Sequence, residues 1–345
     1  MCARPGSWTS PGRANRETST EFPRRVRIQE SEDLSALICG SIAYDNIMVF
    51  QGRFKEHILP DQIHILNVAF LVPELRREFG GCAGNIAYNL KLLGDEPLIM
   101  ATVGGDFGSY RAWLERHGID RRYIRELPDT LCAQAYITTD LDDNQITAFH
   151  PGAMNHAHLN RVPAGAGLKL GMISPDGRDG MLEHAEQFHA AGVPFIFDPG
   201  QGLPMFGGEE LRRFIELASW VAVNDYESRL LSERTGWNEA ELARHVDAFI
   251  VTRGAQGSTI WARGESITIP AVKPAAVLDP TGCGDAYRAG LLFGLSRGLD
   301  WESTGRIAAL LGAIKIAHRG TQNHQFSPAS LAQEFRAAFG HALDI

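Results

Sequence analysis

Apolar and polar positions alternate along this chain in two ways. In the second half, continuous apolar runs stand at LKLGMI (168–173), PFIFD (194–198), WVAVN (220–224) and AFIVT (248–252), separated by amphipathic stretches around 179–191, 208–218 and 226–244. Unbroken apolar strands between helices predict βαβ units, hence an α/β fold with a mostly parallel sheet covered by helices on both faces. The first half opens with ALICGSI (36–42), followed by the short alternating segments NIMVF and QIHIL and an acid-and-base stretch at 74–78. GNIAYNLKLLG (84–94) carries Ile86, Ala87, Leu90 and Leu93 at helical spacing and stops at a glycine, the pattern of a helix with a Gly C-cap. LIMATV, a helix near 107–117, AQAYITT and QITAFH continue the alternation. The segments around 46–70 lack the helical alternation and predict a small appended β lid. The ordered fold is read as one domain over 35–335, with 336–345 ending a C-terminal helix.

Composition narrows the classes. With 44% hydrophobic and 21% charged residues, the chain has the material for a large core, and its formal charge of −8 opposes general attraction to nucleic acid or anionic lipid. Cys2, Cys39, Cys82, Cys132 and Cys283 are odd in number and contain no C-x-x-C pair. That fits neither a disulfide scaffold nor a zinc site and predicts a reducing, cytoplasmic setting. Residues 1–34 are rich in Arg, Ser, Thr, Pro and Glu without an apolar run, which predicts a disordered tail rather than a signal peptide.

In parallel sheets, ligands bind outside the carboxyl ends of the strands. Asp45, Asp106, Asp198, Asn224, Arg253 and Asp285 all follow apolar runs. The most informative of these breaks lies in VLDPTGCGDAYRAGLLFGL (277–295), where Gly282 and Gly284 permit a tight turn that leads into a helical pattern. A helix N-terminus binds anions. A carboxylate there would repel the anion, so Asp285 is explained better as a base taking the proton of a hydroxyl that attacks a phosphoryl group than as a helix cap.

DPTGCGDAYRAG resembles the C-terminal signature of the ribokinase-like (PfkB) carbohydrate and nucleoside kinases, with Cys283 where that family usually has alanine. The resemblance implies that Gly282, Cys283 and Gly284 stabilise the transferring group through backbone N–H groups while Asp285 is the base. A thiol at 283 would make the site open to oxidation or alkylation. FGGCAGNIAYNL (79–90) is similar to the family's N-terminal signature, implying Gly81 and Asn85 at the sugar, and GSIAYDNI puts Asp45 where the family grips sugar hydroxyls. VGGDFG (103–108) matches a further element; VNDYES (223–228) matches N-x-x-E, implying Asn224 and Glu227 at Mg²⁺ and phosphate; and VTRGAQGS (251–258) matches a loop placing Thr252, Gly254 and Gly257 against ATP. Asp279 and Thr281 resemble positions flanking a monovalent-cation (K⁺) site in potassium-activated relatives, or else form a strand-to-turn hydrogen bond. HPGAM (150–154), FDPGQG (197–202) and GTQNH (320–324) point within the family toward nucleoside kinases of the adenosine-kinase type. The resemblance therefore implies ATP-dependent, Mg²⁺-assisted phosphorylation of a ribonucleoside 5′-hydroxyl. A sugar such as ribose or fructose is the alternative acceptor, and a silent nucleoside sensor on the same fold is the alternative of another class. The lid would cover the site alone or pair with a second copy as a homodimer.

Other clusters carry less. Ordinary core outweighs base stacking for Phe149, Phe70 and Tyr44. His150, His156 and His158 lack the acid or cysteine that completes a metal set. Arg76/Arg77 and Arg121/Arg122/Arg125 read as helix or loop surface. No Gly-Lys pair exists, so a Walker A loop is absent.

Overall fold

The computed structural model describes residues 36–58, 67–142, 144–165 and 167–343. The segment QIHIL and the tail predicted to be disordered lie outside these residues. The first half of the chain contains β1 (Ala36–Cys39), β2 (Ala43–Val49), α1 (Phe54–His57), β3 (Glu74–Gly80), α2 (Cys82–Leu92), β4 (Leu98–Gly104), α3 (Gly108–Arg116), β5 (Asp120–Leu127), β6 (Ala133–Thr139) and β7 (Gln145–His150). The second half contains β8 (Leu170–Ile173), α4 (Arg178–Ala190), β9 (Phe195–Phe197), α5 (Gly208–Leu217), β10 (Trp220–Asn224), α6 (Asp225–Thr235), α7 (Glu239–His245), β11 (Ala248–Thr252), β12 (Ser258–Ala262), β13 (Glu265–Ile269), α8 (Cys283–Ser296), α9 (Trp301–Ile316) and α10 (Pro328–Phe339).

Nine strands form the large sheet in the order β13-β12-β11-β10-β9-β8-β1-β4-β5. It is parallel except for the β11–β12 and β12–β13 pairings. One face is packed by α2, α3, α8, α9 and α10 through Ile86, Leu90, Tyr110, Leu114, Leu291 and Phe335. The other is packed by α4 to α7 through Met181, Phe188, Leu211, Phe214, Leu231 and Leu242. The predicted doubly covered sheet is therefore present. α8 and α9 lie close because Gly290 and Gly294 carry no Cβ; one at either place would collide with Ala308 or Thr304.

The lid is a separate four-stranded sheet, ordered β3-β2-β6-β7. Here the sequence reading needs correcting. The acid-and-base stretch at 74–78 is strand β3, AQAYITT and QITAFH are the lid strands β6 and β7 rather than parts of the main alternation, and residues 54–57 are helical. The lid strands alternate instead of running apolar, and every residue of β7 is exposed, as befits a sheet with an open face. Arg76 and Arg77 thus lie on a lid strand, and Arg121, Arg122 and Arg125 on β5.

Two further boundaries moved. The amphipathic stretch 226–244 is two helices, because Gly236 (φ 73°) ends α6 with its N–H on the Ser232 carbonyl and Asn238 restarts the chain with a reciprocal Asn238–Glu241 cap. The segment before Asp285 is not a strand of the sheet: Val277 and Leu278 are exposed, and the N–H of Leu278 bonds to the Ile316 carbonyl at the end of α9 (2.9 Å).

Candidate active site

The break at 282–285 is a helix N-terminus. Gly282 is the N-cap residue of α8 in the left-handed region (φ 80°, ψ 1°), which favours glycine. The N–H of Ala286 makes the first helical bond, to the Gly282 carbonyl (3.0 Å), so the N–H groups of Cys283, Gly284 and Asp285 precede the helical ladder. That of Cys283 turns back to the Pro280 carbonyl (3.2 Å). A Cβ on Gly284 would meet no heavy atom within 4 Å. Internal packing therefore does not require glycine there, and the open space in front of it fits an approaching anion. The Cys283 thiol points away, toward the Asp279 carbonyl (Sγ to O 3.9 Å), and burial lifts it to about 11. Thiolate is the reactive form, so a thiol held neutral by burial weighs against the oxidisable or alkylable site expected from the sequence.

Asp285 meets Asn85 across 200 residues of sequence: Asn85 Nδ2 donates to Asp285 Oδ2 at 2.8 Å. The orientation of that amide is fixed behind it. Gln322 Nε2 donates to Asn85 Oδ1 (2.9 Å) and to the Tyr110 hydroxyl (2.6 Å), while Trp113 Nε1 donates to Gln322 Oε1 (2.8 Å). With its oxygen committed, Asn85 must present its N–H₂ to Asp285. Burial pushes the Asp285 carboxyl up to about 6, against the Asn85 hydrogen bond that holds it down. This is the range a general base needs near neutral pH.

Asp45 is half-buried at the start of lid strand β2. Burial first, then the charges of Asp285, Asp279 and Glu78, raise it to about 7. Gly80 makes room for it, since a Cβ there would run into the Asp45 carboxylate. Gly81 (φ 87°) is a hinge between lid and α2: a Cβ would stand 2.6 Å from the Ala43 nitrogen and the Ser41 carbonyl oxygen. Its glycine is thus dictated by neighbouring backbone.

On the other side of Asp285, Arg288 is buried one helical turn on, with Nη2 on Asp198 Oδ1 (3.0 Å) and on the Ala222 carbonyl (3.1 Å). Asn224 and Glu227 form a reciprocal cap of α6: the Asn224 side chain accepts the Glu227 N–H, and Glu227 Oε2 accepts the Asn224 N–H, both at 2.8 Å. Burial and the Asp198 charge raise the Glu227 carboxyl. Thr252 ends β11, and its hydroxyl reaches the Val223 carbonyl (3.4 Å). Gly254 (φ 55°) and Gly257 (φ 83°) shape the turn into β12, where a Cβ on Gly257 would strike the Ile269 carbonyl.

No strand leads into Asp279, so the expected strand-to-turn bond is instead a bond within the turn, from the Thr281 N–H to Asp279 Oδ1 (2.9 Å), and Asp279 Oδ2 accepts from the Gly320 N–H (2.9 Å). Asp106 braces the lid, accepting from the Cys132 N–H (2.7 Å) and Gln134 Nε2 (3.2 Å). Tyr44 is core, its hydroxyl on the Asp106 carbonyl (3.1 Å), and Phe70 packs against Phe50 and Phe54 inside the lid. Phe149 is exposed on β7. Among the described residues, no three His, Cys, Asp or Glu side chains gather as a metal cage, and His156 and His158 stand 6.2 Å apart between ring centroids.

Sequence reasoning missed Arg288, Tyr110, Trp113 and Lys315, and gave Gln322 no role. One signal was present: Arg288 interrupts the apolar run AYRAGLLFGL. The relay through Trp113 and Gln322 joins segments far apart in sequence and left none.

Residues 44–328 match the pfkB family carbohydrate kinases. The chain belongs to that family. It is accordingly an ATP-dependent kinase with a ribokinase-like fold. A nucleoside kinase of Methanocaldococcus jannaschii is 34% identical over 263 residues, covering 75% of this chain and 85% of that protein. The structure of Burkholderia thailandensis nucleoside kinase in complex with inosine is similar to this kinase with a TM-score of 0.82 and 55% identity, covering 89% of this chain and 99% of that one. The same Burkholderia enzyme in complex with ADP-inosine matches with a TM-score of 0.81 and 56% identity, over 90% and 97% of the two chains. Among the described residues, no helix of this kinase is long and apolar enough to cross a membrane.

Proposed function

We propose that this kinase transfers the γ-phosphoryl group of ATP to the 5′-hydroxyl of a purine ribonucleoside, adenosine or a related one, with Asp285 as base. The observation that carries the nucleoside assignment is a row of side chains across the lid. Glu78, Asp45, Ala135 and Phe149 are mutual partners on successive strands and share one face. Strands lie about 4.8 Å apart, so Phe149 is two strands, or roughly 10 Å, from Asp45. That spacing suits a ribose held by Asp45 and a base stacked on the exposed Phe149 ring; a free sugar would leave Phe149 without work. The inosine complex of the Burkholderia relative supports the same reading.

In this mechanism Asp45, beside the Gly81 hinge, accepts from ribose hydroxyls, and Asn85 holds Asp285 at the 5′-hydroxyl. As the hydroxyl oxygen bonds to phosphorus, its proton passes to Asp285 and the phosphorus–oxygen bond to ADP breaks, the leaving oxygen keeping the electron pair. The Gly282, Cys283 and Gly284 turn stabilises the transferring charge through the main-chain N–H groups that precede the helical ladder, above all that of Gly284 with its open approach, since the Cys283 N–H is already held by the Pro280 carbonyl. The Thr252, Gly254 and Gly257 turn lies against the nucleotide. A magnesium ion brought by the nucleotide would meet Asn224 and Glu227 through water, and when bound it neutralises phosphate charge. Glu227 suits this because it commits only Oε2 to the helix cap.

An acceptor panel of adenosine, inosine, guanosine, cytidine, ribose and fructose, assayed for ADP formation, tests the proposal. Phe149→Ala should raise KM for the nucleoside by about tenfold, the worth of one base–aromatic stack. Sugars phosphorylated faster than nucleosides, or an unchanged nucleoside KM in that variant, would overturn it.

A further inference from the structure

Lys315, in the last turn of α9, is fully buried. Its ammonium reaches two main-chain oxygens that lie outside its own helix, which ends at Ile316. Nζ stands 2.8 Å from the main-chain oxygen of Asp279 and 3.1 Å from that of His318. These two oxygens belong to the segments that build the site. Asp279 begins the turn that runs through Gly282 to Asp285. His318 begins the loop that carries Gly320, whose N–H binds Asp279 Oδ2 (2.9 Å), Thr321, whose hydroxyl binds the Phe79 carbonyl, and Gln322, which orients Asn85 on Asp285. One cation thus ties the phosphate-binding turn to the loop that aims the base.

A neutral donor would satisfy two carbonyls without the cost of burying a charge, which amounts to several kcal/mol for an ion taken out of water. The charge itself therefore has a use. Burial disfavours the charged form of Lys315 and lowers its proton affinity, while the carboxylates of Asp279 and Asp285 act to keep the ammonium; the Cys283 thiol, His318 and His324 also face it, and His324 is held neutral partly by Lys315. Hard main-chain oxygens converging on a compact monovalent cation are also the chemistry by which proteins hold potassium.

We propose that the Lys315 ammonium is a tethered monovalent cation that holds the phosphate-binding turn and the 318–322 loop in their working arrangement, so that this kinase requires no free potassium. The inference rests on the reading of Gly282–Gly284 as the phosphate cradle. Lys315 is a positioning residue: it touches neither substrate nor the reacting atoms.

The test begins with the wild-type chain, assayed with Mg-ATP and nucleoside in sodium, potassium or tetramethylammonium chloride at one ionic strength of about 0.1 M, where screening is equal. Rates that agree across the three salts are expected, and strong activation by potassium alone would overturn the proposal. Lys315→Met removes the cation. Its kcat should fall by about 10²-fold, comparable with loss of one preorganised electrostatic contact, and recover in potassium or ammonium but not in lithium or tetramethylammonium. A folded variant with an equal loss in every salt would refute the tethered-cation role. Should Lys315→Met fail to fold, Lys315→Gln serves, since it keeps a neutral donor. The melting temperature of either variant, read without substrates, should rise in potassium relative to tetramethylammonium while that of the wild type stays level. The melting readout separates this proposal from the kinase reading: if the wild type phosphorylated no acceptor that reading would fail, yet potassium-selective stabilisation of the variant would still support a cation clamp, and its absence would sink the clamp.

Discussion

Replacing Asp285 by asparagine should cripple turnover and at the same time make the protein more stable. The carboxyl lies half-buried beside Asp198, and its proton is held up to about 6 against an ordinary 3.8. The folded chain therefore binds this proton more tightly than the unfolded chain. The native state has that advantage in full below the ordinary carboxyl range and loses it as pH climbs through about 6. Such a difference corresponds to about 3 kcal/mol at full burial. Partial exposure reduces it, and the loss of a negative charge in the first turn of α8 gives back about 0.3–1 kcal/mol of helix-dipole stabilisation. A net gain of about 1–2 kcal/mol above pH 7 remains, or about 2–4 °C in Tm for a chain of this size. Asn85 keeps an acceptor, because the new amide oxygen can replace Asp285 Oδ2, and Asp45 loses one of the charges that raise it. Thermal melts of both proteins from pH 4 to 8 should coincide at the acid end and separate in favour of the variant through pH 6. In parallel, kcat should fall by about 10²–10⁴, the usual contribution of a general base. Turnover within a few-fold of wild type would refute the base assignment, and a variant less stable at pH 8 than at pH 4 relative to wild type would refute the electrostatic account.

Gly284→Ala should leave Tm level, because a Cβ meets no protein atom there, and lower kcat/KM by at least about tenfold by filling the anion's approach. Gly81→Ala should instead destabilise the fold by about 1–3 kcal/mol, since its φ of 87° and its backbone neighbours at 2.6 Å admit no side chain; chemical denaturation checks it. Arg288→Met strands the buried Asp198 carboxylate and should cost about 3–5 kcal/mol, with Asp198→Asn in the same chain recovering a large part. Gln322→Leu frees Asn85 to rotate and should lower kcat with little change in the KM for ATP, which steady-state kinetics at saturating nucleoside will separate.

The sequence by itself determined the chain's class and the ingredients of its site. Continuous apolar runs between amphipathic stretches require a covered parallel sheet, because each run must be buried on both faces. Glycines 282 and 284 before a helical pattern require an N-terminal turn with free N–H groups, and those features are local, within reach of pattern and spacing. What only the tertiary structure decided is which distant groups meet. Residues 133–150 alternate weakly, and nothing local says that they pair with β2 to make a lid rather than extend the main sheet; that choice follows from long-range strand pairing. The contact of Asn85 with Asp285, the Trp113–Gln322 relay that orients it and the ammonium of Lys315 on two loop carbonyls each join segments separated by tens to hundreds of residues. Side-chain type announces a donor or a charge, but its partner is set by how helices and loops pack, and so also are the shifted proton affinities of Asp45 and Asp285, which arise from burial and then from neighbouring charges, that of Asp285 on Asp45 and that of Asp198 on Asp285.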